Sequence, residues 1–353
     1  MRLFQSFVAF LGGLCTVAAL HAQSATPPLV GVACNLLVSE DERHEGLNTL
    51  HAGKYAAAER AFQNAFDACP SQHSILLDLS RAELQAKTLS EAIRSAQRFL
   101  ELEPNSIDGR IVLANAFFMA QRPQDALRES EAVLRQEPAL AVALKLKGNV
   151  QYLTGDLDGA LATFVTLLDK HPEDEEGPYM LGRIYYQEKR IDHATGQFQR
   201  VLKLNPKSYK AYDNLGLCYQ SLGDTELATR YFLTAIKLVD KDHPEYDWAY
   251  ANLASLLLDA GDAEKAFGFA SKAATRNPNS ARNFYIGGKA LSKLGKHELS
   301  ANWLERSASL DSKYPEPLYL LSRVYSQLGQ KEKAKEALER FEVVKKDAPR
   351  ERR

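Results

Sequence analysis

The chain has 353 residues, 45% of them hydrophobic, and carries 44 Lys and Arg against 45 Asp and Glu. Because the opposite charges nearly balance, the composition argues against a strong non-specific attraction to nucleic acid or to an anionic membrane. The hydrophobic content is that of a folded protein rather than a disordered one.

The first residues have the pattern of a secretory signal. Arg2 supplies a positive charge, residues 3–20 carry none, and Ala22 is a small residue at a plausible cleavage point. This order is typical of a signal peptide. We therefore expect a signal over 1–22, a linker over 23–38, export to a bacterial periplasm or the exterior, and no integral span after signal removal. An uncleaved N-terminal anchor is the alternative.

Prolines recur along the chain with a fixed spacing. Pro70, Pro104, Pro138, Pro172 and Pro206 are each separated by 34 residues, and the series resumes after one longer interval of 38. A period of this length predicts a stacked array of structural repeats. Aligned on the prolines, the predicted units and tail are 39–72, 73–106, 107–140, 141–174, 175–208, 209–246, 247–280, 281–314, 315–348 and 349–353.

Each unit has two positions that hold only small residues. The eighth holds Gly46, Ser80, Ala114, Gly148, Gly182, Gly216, Ala254, Gly288 and Ser322. The twentieth holds Ala58, Ala92, Ala126, Ala160, Ala194, Ala228, Ala266, Ser300 and Ala334. Small residues on two helices allow their backbones to approach closely, so each unit is predicted to be a packed helix pair.

One unit shows the pattern in full: Tyr212, Leu215, Gly216, Tyr219, Gly223, Asp224, Ala228 and Phe232. This pattern resembles the tetratricopeptide repeat, a helix–turn–helix unit of 34 residues. The resemblance extends over 39–348 and implies an all-α, right-handed superhelical solenoid of about nine repeats. Units 1, 2, 3 and 8 match it less well.

The 38-residue interval comes from four added residues near 241–244. Four residues make about one helical turn. One interpretation is a longer helix end or loop that leaves the stack intact, because repeat arrays tolerate insertions. The other is a change in superhelix pitch that separates units 1–6 from units 7–9.

Two cysteines lie near the two ends of the first unit. Cys34 stands just before it, and Cys69 stands just before its closing Pro70. In an antiparallel helix pair these two ends meet, and an exported compartment permits disulfides. We therefore predict a Cys34–Cys69 disulfide, with two separate buried thiols as the alternative.

In the tetratricopeptide repeat family the first helix of each unit lines a concave face, to which peptides or protein segments bind. The resemblance therefore implies inward-facing side chains at Asn115, Phe118, Lys145, Asn149, Tyr152, Tyr179, Arg183, Tyr186, Tyr285, Lys289, Tyr319 and Arg323. Cations can pair with peptide carboxylates while Tyr supplies contact area. Packing between neighbouring units is the alternative for the aromatic residues.

Some members of the family hold a C-terminal carboxylate between Lys and Asn side chains of successive repeats. Lys145 and Asn149 match the first part of that pattern, and Lys210 matches the last. Met180 and Asn214 stand where an Asn and a cation are needed, so the resemblance implies only an incomplete clamp.

No catalytic motif stands out. The sequence has no His-Glu-x-x-His pair, no Gly-x-Ser-x-Gly elbow and no Gly-Lys-Ser/Thr phosphate loop. We expect an exported, non-enzymatic scaffold for proteins or extended peptides, with a periplasmic assembly or chaperone-like role and with no cofactor, metal or nucleic acid. A binder of a small molecule or glycan in a Tyr-rich groove is the alternative.

Overall fold

A computed structural model of the protein describes residues 34–347, and every regular element in that range is an α-helix. The predicted signal peptide 1–22, the start of the linker and the tail 349–353 lie outside the described residues. The eighteen helices, α1 to α18, are Leu36–His51, Tyr55–Ala68, Ser74–Ala86, Leu89–Leu102, Ile107–Met119, Pro123–Gln136, Ala141–Thr154, Leu157–Lys170, Glu176–Gln187, Ile191–Leu204, Tyr209–Ser221, Thr225–Asp242, Trp248–Asp259, Ala263–Arg276, Ala281–Lys293, His297–Leu310, Pro315–Gln327 and Lys331–Asp347.

The helices follow one another in pairs joined by short turns, as in αα-hairpins. The predicted all-α class and the helix–turn–helix solenoid are confirmed. One boundary differs from the prediction, because α1 begins at Leu36 and the last residues assigned to the linker 23–38 are therefore helical. Asn35 caps this helix by accepting a hydrogen bond from the backbone N–H of Val38.

The small residues have the packing role that their spacing predicts. Ala160 and Ala228 are fully buried. A Cβ added to Gly148 would lie 2.7 Å from the Phe164 ring, and one added to Gly216 would lie 2.4 Å from the Phe232 ring. In these two helix pairs the phenyl ring of the second helix thus lies directly against the glycine of the first helix, which leaves no room for a larger side chain there.

The turns inside the pairs place one residue in the left-handed region. Glycine occupies this position in six turns, for example Gly223 with φ 80°. In the other three the residue is Lys87, Gln121 or Lys189, with φ of 66°, 58° and 63°. A non-glycine residue in this conformation is strained, so these three turns are less stable than the six that have glycine.

The chain divides into two compact units, the first ending at Ile184 and the second beginning at Tyr185, inside α9. In the second unit the insertion lengthens α12 to 18 residues, against 14 in α14. Packing continues across it, because Val239 on one side and Tyr250 and Ala251 on the other belong to one hydrophobic cluster. This favours the interpretation in which the stack remains intact at the insertion.

The first helix pair is tied together at its open end. A disulfide joins Cys34 to Cys69, and the backbone N–H of Asn35 donates to the Ala68 carbonyl at 2.8 Å.

Cys218 is a free, fully buried thiol, and burial raises its pKa to about 11. Along residues 34–347 none of the helices combines the length and the apolar character needed to cross a bilayer.

Candidate functional site

The predicted contact residues all lie on first helices of the pairs. Within the first compact unit α5 contacts α7, and within the second α13 contacts α15 and α15 contacts α17, so first helices form continuous surfaces there. By helix, the predicted residues are Asn115 and Phe118 on α5, Lys145, Asn149 and Tyr152 on α7, Tyr179, Arg183 and Tyr186 on α9, Lys210 on α11, Tyr285 and Lys289 on α15, and Tyr319 and Arg323 on α17. Their surroundings differ sharply.

Lys145 and Asn149 are occupied by carboxylates of the chain itself. Lys145 Nζ lies 2.9 Å from Asp174 Oδ2 and 3.7 Å from Glu176 Oε2. Asn149 Nδ2 donates to Glu176 Oε1 at 2.9 Å. Asp174 Oδ1 in turn accepts from the backbone N–H groups of Glu176 and Gly177. We name Lys145, Asn149, Asp174 and Glu176 the Glu176 cluster.

The Glu176 cluster is held in a dry environment. Glu176 is 4% exposed and Asn149 is 1% exposed. Burial raises the pKa of Glu176, against the hydrogen bond from Asn149 and the charge of Lys145. Burial alone would lower the pKa of Lys145, but Asp174 and Glu176 together raise it. The two predicted clamp positions therefore bind internal acids, and they offer no free donor pair to a peptide carboxylate.

Sequence reasoning missed Asp174 and Glu176, although the signal was present. The run Asp174-Glu175-Glu176 directly precedes or opens α9, where carboxylates cap a helix N-terminus favourably. What the sequence alone did not show is that Glu176 turns inward to α7. The position of Lys145 within its repeat could have suggested such a partner, since a buried cation requires one.

Two other predicted contacts in the first compact unit, Phe118 and Tyr152, are packing residues. Phe118 is 2% exposed and Tyr152 is 7% exposed. The guanidinium carbon of Arg183 lies 4.9 Å from the centroid of the Tyr152 ring, a cation–π distance. Asn115 and Tyr179 are half-buried. For Phe118 and Tyr152 the packing alternative is therefore the better description.

The second compact unit presents rings and cations to solvent near its C-terminal end. Tyr319 is 47% exposed and packs its ring 5.3 Å from the Phe341 ring. Arg323 is exposed, and Lys289 and Tyr285 are half-buried on the preceding first helix. Among residues 34–347, neither Lys289 nor Arg323 has a carboxylate within salt-bridge distance. We name Tyr285, Lys289, Tyr319 and Arg323 the α15–α17 surface.

The remaining predicted residues in this unit make local contacts. Tyr186 places its hydroxyl 3.2 Å from Ser221 Oγ. Lys210 Nζ lies 5.8 Å from the centroid of the Tyr209 ring. Neither contact joins these residues to the α15–α17 surface.

Models of the tetratricopeptide repeat match this chain over 45–107, 111–175, 151–216, 208–279 and 315–341, which together make up well over half of it. The chain belongs to the tetratricopeptide repeat family. Proteins of this family generally act as scaffolds that mediate protein–protein interactions, and they are typically non-enzymatic. A search of curated proteins finds no significant match.

Two solved structures show the same fold at low identity. A chain of the APC/C hetero-tetramer Cut9–Hcn1 is 14% identical with a TM-score of 0.61; the match covers 82% of this chain and 56% of that one. This chain therefore spans little more than half the length of that protein. A tetratricopeptide repeat protein from Parabacteroides merdae ATCC 43184 is 18% identical with a TM-score of 0.50, covering 82% and 99% respectively.

The tetratricopeptide repeat frame also contains a second buried polar cluster, which sequence reasoning missed. Asp213 is 3% exposed and accepts hydrogen bonds from the Tyr246 hydroxyl at 2.7 Å and from Asn252 Nδ2 at 2.8 Å. Arg282 Nη2 donates to Asn252 Oδ1 at 2.7 Å. Burial raises the pKa of Asp213 to about 6. We name Asp213, Tyr246, Asn252 and Arg282 the Asp213 cluster.

Neither cluster resembles a metal centre of the usual kind. Across the part of the chain that the structure describes, no group of three or more His, Cys, Asp or Glu side chains is arranged to hold a metal ion. In the Asp213 cluster the acid is met by neutral donors, which suits a structural hydrogen-bond network. Of the predicted contact residues only Tyr319 and Arg323 are exposed, so the α15–α17 surface is the part of the predicted site that is most open to a ligand.

Proposed function

We propose that this protein is an exported, non-enzymatic scaffold that binds a protein partner or an extended peptide along the first helices of its repeats. The observation that carries the proposal is the α15–α17 surface, where exposed aromatic area lies beside cations that have no carboxylate at salt-bridge distance within residues 34–347. Rings supply contact area at low entropy cost and Arg forms strong charge-assisted hydrogen bonds. The expected partner segment is extended and carries carboxylates.

Export is supported by two features of the N-terminal region. The sequence of residues 1–22 has the order of a secretory signal. The disulfide between Cys34 and Cys69 suits an oxidising compartment, since cytosolic thiols are kept reduced. A role in periplasmic assembly, or one like that of a chaperone, fits a scaffold in such a compartment. N-terminal sequencing of the native protein should find a start at Gln23; an intact Met1 in a cytosolic fraction would contradict export.

Partner binding is tested by affinity capture from the exported fraction. The double variant Tyr319→Ala/Arg323→Ala should lose the proteins that the wild type recovers, because it removes an exposed ring and an unpaired cation. The matched control is Lys54→Ala/Tyr55→Ala, which removes an exposed cation and ring at the start of α2, a second helix. The control should recover the same proteins as the wild type.

Two outcomes would count against this function. If the Tyr319/Arg323 variant recovered the same proteins as the wild type, the α15–α17 surface would not be the binding surface. If no protein were recovered and the wild type bound a glycan array saturably, the protein would instead be a binder of a small molecule or glycan.

A further inference from the structure

A cleft of about 540 Å³ opens between α12 and α14 in the second compact unit. Its volume is in the range of pockets that hold small ligands or a few side chains. The apolar part of its lining includes Leu233, Ile236, Tyr250 and Phe269. The charged part consists of Lys237, Lys272, Asp240 and Asp242.

The inserted residues form one wall of this cleft. They extend α12 by four residues beyond the length of α14, which adds about one turn and brings Asp240 and Asp242 into the lining. Arg276, the last residue of α14, fixes this turn. Its Nη1 donates to the carbonyls of His243 and Pro244 at 3.3 and 3.2 Å, and its Nη2 to Asp240 Oδ1 at 2.7 Å. The wall is therefore held in place before any ligand arrives, which lowers the entropy cost of binding.

The base of the cleft is aromatic. The rings of Tyr250 and Phe269 lie 6.4 Å apart between their centroids. Arg276 stacks on the Tyr250 ring with its guanidinium carbon 4.5 Å from the centroid, which holds that ring in place. Leu233 is 44% exposed, so the apolar surface continues to the rim of the cleft. Tyr250 is only 3% exposed, so the apolar surface open to a ligand is that of Leu233 and the half-buried Phe269. A ring or a large aliphatic side chain would bury it.

The charges around this base favour an anionic occupant. Asp240 is neutralised by Arg276, whereas Lys237 and Lys272 are exposed and have no carboxylate at salt-bridge distance in the described range 34–347. Lys272 Nζ instead lies 5.4 Å from the centroid of the Phe269 ring, directly beside the aromatic base. Among the side chains that the structure describes, the remaining acid of the lining, Asp242, has no cation at salt-bridge distance. Two cations thus face one carboxylate beside an apolar surface.

We propose that this cleft binds a short segment of a partner protein in which an aromatic or large aliphatic side chain adjoins a carboxylate. The ring would rest on Leu233 and the half-buried Phe269 while the carboxylate pairs with Lys237 and Lys272. A peptide is favoured over a free small molecule because the apolar lining reaches the exposed Leu233 at the rim. This site is lined by α12, α13 and α14 and includes no residue of the α15–α17 surface, so it does not depend on that surface.

The probes are the peptides acetyl-Glu-Phe-Glu-Leu-amide and acetyl-Gln-Phe-Gln-Leu-amide, titrated into the full mature protein by calorimetry. The Glu peptide should bind saturably. Lys237→Glu and Lys272→Glu should each weaken it by about fivefold, the size of one exposed charge pair. Asp242→Asn should strengthen binding by about twofold, because it removes a repulsive charge.

Lys203→Glu is the matched control, since Lys203 has the same place in its repeat on α10 as Lys237 has on α12, and it is also exposed. It should leave affinity for the Glu peptide unchanged. Equal affinity for the Gln peptide, an equal loss in Lys203→Glu, or no saturable binding would each overturn the proposal. So would 3-phenylpropionate binding as tightly as the peptide, because the site would then suit a free small acid.

Discussion

The Glu176 cluster and the Asp213 cluster are built around corresponding positions of two repeats, but the residue at that position is a cation in the first cluster and an acid in the second. Lys145 and Asp213 both stand at the fifth position of their units, one on α7 and the other on α11. Lys145 meets two carboxylates, Asp174 and Glu176. Asp213 meets two neutral donors, the Tyr246 hydroxyl and Asn252.

The difference shows what the repeat specifies and what it leaves open. In these two repeats the fifth position turns a polar side chain toward the following unit, but the sign of the charge differs. In other repeats the same position is apolar, as at Leu77 and Ile111. Either sign is tolerated if the next unit supplies hydrogen-bond partners, because a buried charge without them is very costly. The surroundings then decide the ionisation: burial raises the pKa of Asp213 to about 6, against the hydrogen bonds from Tyr246 and Asn252 and the charge of Arg282.

The largest expected effect comes from removing the cation of the Glu176 cluster. Lys145→Met leaves Asp174 and the buried Glu176 without their positive partner, and breaking a buried pair in this way costs about 3–5 kcal/mol of unfolding free energy. Urea unfolding followed by circular dichroism measures the loss. The loss should be smaller at acid pH, where Glu176 takes up a proton.

Lys147→Met is the matched control on the same helix. Its ammonium group lies 3.2 Å from Glu131, and both side chains are partly exposed, so the loss should stay below about 1 kcal/mol. Equal losses in the two variants would show that the Glu176 cluster is no more than a surface pair.

The fold was predictable from sequence because its signals repeat. The small residues at positions eight and twenty recur in nine units, and several of the glycines among them make a close contact with the second helix, such as Gly148 against Phe164. The site was much less predictable, because its residues do not recur. Tyr152 and Tyr319 were both predicted to face inward because both lie on first helices, yet Tyr152 is buried and Tyr319 is exposed. Exposure depends on neighbouring units, which the pattern of a single repeat does not contain.

The second prediction concerns pH and the Asp213 cluster. The raised pKa means that the folded state holds this proton more tightly than the unfolded chain does. Its stabilising effect is complete below the ordinary value of 3.8 and is lost as the pH rises through about 6. The difference in unfolding free energy between wild type and Asp213→Asn should therefore fall by about 2–3 kcal/mol between pH 4 and pH 8.

The pH dependence caused by other titratable groups cancels in the difference between wild type and Asp213→Asn. Glu83 in the first compact unit has its pKa raised to about 7 by burial, but it is present in both proteins. Thr225→Ala, an exposed change in the same compact unit that removes no titratable group, is the control and should give a difference that does not vary with pH. A constant difference for Asp213→Asn as well would mean that Asp213 titrates normally in the fold.

The smallest effect concerns the turns that follow the two helices compared above. α9, which carries Glu176, is followed by Lys189 with φ 63°, whereas α11, which carries Asp213, is followed by Gly223 with φ 80°. Glycine adopts this conformation without steric cost, so Lys189→Gly should raise the unfolding free energy by about 0.5–1 kcal/mol. The reciprocal change, Gly223→Lys, should lower it by about 1–2 kcal/mol. If both substitutions were destabilising, the side chain of Lys189 would contribute more to its turn than its backbone strain removes, and the two repeats would differ in their turns as well as in their buried charges.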